Sequence, residues 1–162
     1  MRLFLKKDNS MTHSRFIVKD SGENDKYVVT GKYGDAIQKL AVSSLDGEVL
    51  LKIRLLISRI FSTFVVSGTD KRIHITAIKK DRIHEFRFYG IDWYLRSDID
   101  FRTFEIYDSG GTLIMSQKSD SYSSKGYYTL DITSPDKELL CIAVALCMDV
   151  YNFADSVAVA TV

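Results

Sequence analysis

From Arg2 to Ile132 apolar and polar residues alternate in short runs, and glycine turn signals separate the runs. Those signals stand at Ser21-Gly22, Tyr33-Gly34, Asp46-Gly47, Ser67-Gly68, Tyr89-Gly90, Gly110-Gly111 and Lys125-Gly126. Successive side chains of a strand point to opposite faces, so a period of two marks a half-buried strand. In Arg72-Ile73-His74-Ile75-Thr76-Ala77 the pattern puts Ile73, Ile75 and Ala77 on the buried face and His74 toward solvent. Tyr128, Leu130 and Ile132 alternate in the same way, as do Phe86 and Phe88 against Glu85, Arg87 and Tyr89. The spacing predicts strands at 2–6, 14–19, 26–31, 37–43, 48–55, 60–67, 71–79, 82–89, 91–96, 102–108, 112–118 and 126–132. So many consecutive hairpins leave sheet edges open to aggregation unless the sheet closes, which favours an antiparallel closed barrel of about twelve strands.

The pattern changes at Ser134-Pro135, the position of the chain's one proline. Serine suits an N-cap, proline suits the first helical position, and Asp136 and Glu138 place negative charge at the positive end of a helix dipole. The helix expected over about 135–154 has a body, Leu139 to Met148, that is apolar on every side, so it must be surrounded. The ten apolar residues between Glu138 and Asp149 are about half of the ~20 that span a bilayer. Lengthening the segment would place Asp149, Asn152 and Asp155 in lipid at several kcal/mol for each ionised aspartate. A core helix wrapped by the strands is therefore expected, not a transmembrane one.

Along the chain stand Gly31-Lys32 followed by Lys39-Leu40-Ala41-Val42, the Leu45-Asp46-Gly47-Glu48 turn, Leu51-Lys52-Ile53 to Phe64-Val65-Val66, and Gly90-Ile91-Asp92-Trp93. Phe104-Glu105-Ile106, Tyr127 to Ile132 and Asp136 to Asp149 complete the set. With these residues in this order and a hydrophobic helix after the strands, the chain resembles the tubby-like superfamily, most closely the LURP-one-related branch, over nearly its whole length. The resemblance implies a mainly β domain of the tubby C-terminal type, a closed barrel around a C-terminal helix. It also implies membrane roles, because tubby domains bind phosphoinositides and the related scramblases are linked to lipid movement. The tubby phosphoinositide-binding residues find no position-by-position match, and none is carried over. The chain also lacks the cysteine cluster and proline-rich region of scramblases.

At 162 residues the chain suits one domain spanning 1–162. Cys141 and Cys147 lie six apart in one apolar run, a spacing that suits neither a disulfide within a helix nor a CxxC pair, so buried free thiols are expected. Free thiols and an N-terminal apolar run, Leu3-Phe4-Leu5, far shorter than a signal-peptide core point to a soluble, cytoplasmic protein, peripheral at the membrane if it meets one. Net charge is +1, yet residues 1–48 carry eight basic and seven acidic groups, 49–89 nine and three, and 90–162 five and eleven. Folding decides whether that imbalance becomes a dipolar surface.

Catalytic chemistry finds no purchase, so no enzyme activity and no cofactor are expected. No serine stands in a nucleophile elbow, neither cysteine lies near a histidine, and His13, His74 and His84 are scattered without metal-ligand spacing. Asp98 and Asp100, near Asp92, lack the glycine and glutamate of a calcium loop, and no glycine-rich phosphate loop occurs. Tyr89, Trp93, Tyr94, Phe101 and Phe104 read as barrel core. The distinctive charged feature is Lys71-Arg72, Lys79-Lys80-Asp81-Arg82 and Arg87, bracketing a hairpin whose cations are expected to converge on one end of the barrel as an anion site. That set predicts a non-enzymatic binding module for an anionic membrane surface, a phosphoinositide-like headgroup or another phosphorylated ligand. The alternative is a protein-interaction or scaffold domain with no lipid contact. A third reading, an apolar ligand inside the barrel, needs a void. A nearly neutral chain without a basic-aromatic signature is not expected to bind nucleic acid.

Overall fold

Period-two patterning is realised as twelve strands: β1 (Arg2–Asp8), β2 (Arg15–Lys19), β3 (Asp25–Lys32), β4 (Ile37–Ser44), β5 (Val49–Ile57), β6 (Phe61–Ser67), β7 (Ile73–Lys80), β8 (Ile83–Tyr89), β9 (Trp93–Ser97), β10 (Phe104–Asp108), β11 (Leu113–Ser119) and β12 (Tyr127–Ile132). The computed structural model describes residues 1–8, 15–32, 37–57, 61–68, 70–80, 83–98, 102–119 and 127–160. All twelve strands belong to one antiparallel sheet in the order β8-β7-β6-β5-β4-β3-β2-β1-β12-β11-β10-β9. The first and last strands pair with each other, Arg2 against Asp131 and Lys6 against Tyr127. The sheet thus rolls into a nearly closed barrel whose two edges, β8 and β9, are consecutive in the chain and joined through Gly90-Ile91-Asp92.

The inward rows are those the alternation marks. Leu3, Leu5, Phe16, Val18, Leu51, Ile53, Leu55, Phe64, Ile73, Ile75 and Ala77 are all buried. One local departure has a clear cause. Ile106 pairs with Met115 and Tyr107 with Leu113, leaving Ile114 as the extra residue of a bulge. A bulge lets two successive side chains turn the same way, and both Ile114 and Met115 are buried.

A single turn of 3-10 helix, Pro135–Lys137, leads into α1 (Glu138–Ala160). Ser134 occupies the N-cap with extended backbone, but its side chain makes no capping bond. The neighbouring Thr133 hydroxyl donates instead to the carbonyls of Leu113 and Ile114, tying the helix entry to β11. From Cys141 through Tyr151 every residue of α1 is buried, as an all-round apolar helix inside a barrel requires. Each large apolar side chain so enclosed contributes roughly 1.5–3 kcal/mol. The helix backbone runs on through Ala160, beyond the 154 expected. Among the described residues no helix is long and apolar enough to cross a membrane.

The void beside the helix, bounded by Val66, Ile75, Phe88, Trp93 and Val144, measures about 10 Å³, so the lumen there is filled by side chains. Trp93 and Phe104 belong to the core as expected. Tyr89, by contrast, is 51% exposed on the outer face. Tyr94 stacks on Tyr107 at 5.5 Å with the Arg96 guanidinium over both rings, and Phe101 lies outside the described residues.

Candidate functional site

Antiparallel connectivity gives the barrel two distinct ends. The turns β2–β3, β4–β5, β6–β7, β8–β9 and β10–β11 gather where α1 enters, and the other connections gather at the far end. Strand β7 runs between them, and eight residues at ~3.3 Å each separate its ends by roughly 25 Å. Lys71 and Arg72, both exposed, therefore stand at the helix-entry end, while exposed Lys79 stands at the far end opposite His84. Lys80 continues β7 at the far end, paired with Ile83, its side chain outside the described residues, as is Arg82 altogether. Arg87 sits mid-strand opposite Thr76, and its Nε donates to Glu85 Oε1 at 2.8 Å. That bond to Glu85 raises the guanidinium pKa. Of the cations expected to converge, Lys71 and Arg72 stand at one end, Lys79 and Lys80 at the other, and Arg87 on the flank.

The division follows a larger pattern. Turns and strand ends at the helix entry carry Asp20, Glu23, Asp25, Asp46, Glu48, Asp70, Asp92, Asp108, Asp131, Asp136 and Glu138, against Arg2, Lys19, Lys26, Lys71, Arg72 and Lys137 among the described residues. Strand ends at the far end carry Lys6, Lys7, Arg15, Lys32, Lys39, Arg54, Lys79, Lys80, Arg96, Arg102 and Lys118, against Asp8, Glu85, Asp98 and Glu105 among the described residues. Residues that alternate in sign along the chain are sorted by the strand-turn rhythm into an acidic end and a basic end.

The helix-entry end also holds an open cavity of about 880 Å³. Its apolar surface comes from Tyr27, Ile73, Ile91, Trp93, Leu139 and Leu140, and its rim from Asp70, Asp92, Asp108, Asp136 and Glu138 beside Lys71 and Lys137. Gly90 makes this shape feasible, since its φ of 89° suits glycine and a Cβ there would lie 2.7 Å from the Arg72 carbonyl oxygen. Lys26 Nζ lies 2.5 Å from Glu138 Oε1 and draws the β3 side of the rim to the first turn of α1.

Both cysteines are fully buried and free, and burial pushes the Cys141 thiol up to about 12 and the Cys147 thiol up as well. Among the described residues no group of three or more His, Cys, Asp and Glu side chains is placed to hold a metal ion. The polar groups that do converge hold the helix. The Tyr128 hydroxyl donates to Asp149 Oδ1 at 2.5 Å, and His84 Nδ1 bonds the Tyr151 hydroxyl.

Comparison with known proteins agrees with this architecture. A family model described as LURP-one-related matches residues 1–149. An X-ray structure of a protein from Arabidopsis thaliana is similar with a TM-score of 0.53 at 11% identity, covering 93% of this chain and 91% of that one. At that identity the likeness speaks for the fold alone. No curated protein matches the chain. With its twelve-stranded barrel, axial C-terminal helix and family match over most of its length, the chain belongs to the LURP-one-related family.

Proposed function

We propose that the domain is a non-enzymatic binding module that docks on anionic phospholipid surfaces through the basic far end of its barrel. The observation that carries this reading is the sorting of charge along the barrel axis, with Lys79 and Lys80 among the cations of the far end and the carboxylates of the turns at the opposite one. A molecule so polarised approaches a negative surface basic end first, because attraction at one end and repulsion at the other both turn it that way. Each cation near such a surface contributes about 1 kcal/mol.

Co-sedimentation with neutral and anionic vesicles at low and physiological salt tests this. The Lys79→Glu/Lys80→Glu/Arg82→Glu variant is expected to lose anionic binding by about a hundredfold or more. The Lys71→Glu/Arg72→Glu variant, altered at the acidic end, is expected to keep it. Equal losses in the two variants, or no vesicle binding by the parent protein, would overturn the reading. The alternative is then a protein-interaction module, supported by the carboxylate-rimmed cavity, whose mixed apolar and acidic surface complements a basic segment of a partner.

A further inference from the structure

The outer surface of β4 to β7 carries a second arrangement that the hairpin set does not include. Lys39 and Arg54 are direct partners across β4 and β5, and both are exposed. Like charges placed opposite each other destabilise a sheet pair, and no carboxylate pairs with either among the described residues. Lys52, also exposed, extends the same face of β5 by two residues toward the helix entry.

Two residues from Arg54 in the other direction, toward the far end, Leu56 is 42% exposed. Its partner on β6 is Thr63, which makes Phe61 its diagonal neighbour, and Phe61 is 48% exposed. Phe61 in turn faces Ile78 directly across β7, and Lys79 follows at the rim. The outer surface therefore presents an apolar ridge near the end of the barrel with a cation pair ~7 Å behind it, given the strand rise.

We propose that this ridge and the Lys39–Arg54 pair form the face that enters an anionic bilayer, with Leu56, Phe61 and Ile78 in the headgroup boundary and the cations at the level of the phosphates. The proposal rests on the membrane-docking reading above and names the surface that performs it. Its dimensions suit the occupant, because apolar side chains of interfacial elements enter ~5–10 Å and basic side chains remain among the headgroups. A protein partner fits less well, since the centres of protein interfaces are depleted in lysine. A free phosphate would use the cations and leave the ridge without a role.

The test places a reporter on the ridge. Phe61→Trp in a Trp93→Phe background carries the only tryptophan at the ridge, and Leu45→Trp in the same background carries it on a helix-entry turn. Vesicles contain phosphatidylcholine with brominated acyl chains, alone or in equal parts with phosphatidylserine. The Trp introduced at position 61 is expected to be quenched by the mixed vesicles only, and that at position 45 by neither. In the parent background Leu56→Ser/Phe61→Ser, confined to exposed positions, is expected to weaken binding to mixed vesicles by roughly tenfold or more. An unquenched ridge reporter together with undiminished binding of the serine variant would overturn this surface while leaving the docking reading intact. Absence of vesicle binding by the parent protein would overturn both.

Discussion

The axial helix carries one carboxylate in its buried stretch, Asp149, which is 8% exposed. Burying a carboxylate is tolerable only with donors around it, and the Tyr128 hydroxyl of β12 is such a donor at 2.5 Å. Burial, and then the Asp149 charge, raise the Tyr128 pKa, so the phenol keeps its proton and donates at every ordinary pH. Tyr128→Phe removes the donor and little volume. A hydrogen bond to a charged group contributes about 1.5–3 kcal/mol. Asp149 retains a further interaction, so a loss near 2 kcal/mol is expected. In a domain of this size that loss lowers Tm by roughly 4–8 °C. Trp93, the chain's one tryptophan and a core residue, reports unfolding in urea, where the midpoint should fall with no change in slope. Adding Asp149→Asn singly and jointly closes a double-mutant cycle, in which the two changes should be strongly non-additive. A Tyr128→Phe protein within ~0.5 kcal/mol of the parent, with additive effects in the cycle, would refute the claim that this pair anchors the helix.

Further outcomes follow from burial and close approach. Native protein should leave Cys141 and Cys147 unreacted with a thiol-specific chromogenic disulfide, and both should react on denaturation; reaction of the native protein would contradict their enclosure. The buried thiols raise the folded pKa above the ordinary 9.0, so their contribution is complete below about pH 9 and declines as the pH rises toward 12, an alkaline loss that Cys141→Ala/Cys147→Ala should flatten in urea midpoints. Gly31→Ala places a Cβ 2.5 Å from the Lys39 carbonyl oxygen and 2.2 Å from Leu40 Cδ2, and should cost about 2–3 kcal/mol in the same assay. Gly47→Asn, with nothing near and a left-handed φ that asparagine tolerates, should cost much less.

The fold was legible because its determinants are local. Alternation such as Ile73-His74-Ile75-Thr76-Ala77 needs only the chain's own period, and the Leu139–Met148 run is apolar on every side whatever surrounds it. The bulge at Ile114 was not legible, since it depends on which residue of β10 faces which residue of β11. The candidate site depends on register and strand length in the same way. Lys71 and Lys79 are near in sequence, yet a strand carries its two ends to opposite poles. Lys39 and Arg54 are far apart in sequence and stand face to face. The sorting of charge was equally hidden in totals over long segments, because sign here follows which turn a residue occupies. A tally confined to alternate turns would have exposed it.

Pairing of β1 with β12 has a consequence for how the molecule reaches its native state. Most of the sheet consists of neighbours in sequence that can zip as hairpins, but the β1–β12 ladder joins Leu3 to Leu130 and requires nearly the whole strand region to be gathered first. The helix that fills the lumen follows β12 in the chain, so the inward rows of Leu, Ile, Val and Phe have no lasting cover until that late ladder forms and α1 enters. Folding is then expected to be slow for a chain of this length, with a sticky open sheet as its dangerous intermediate. Strand β12 acts as the latch and the helix that follows it as the plug, and assembly is concentrated into one late step.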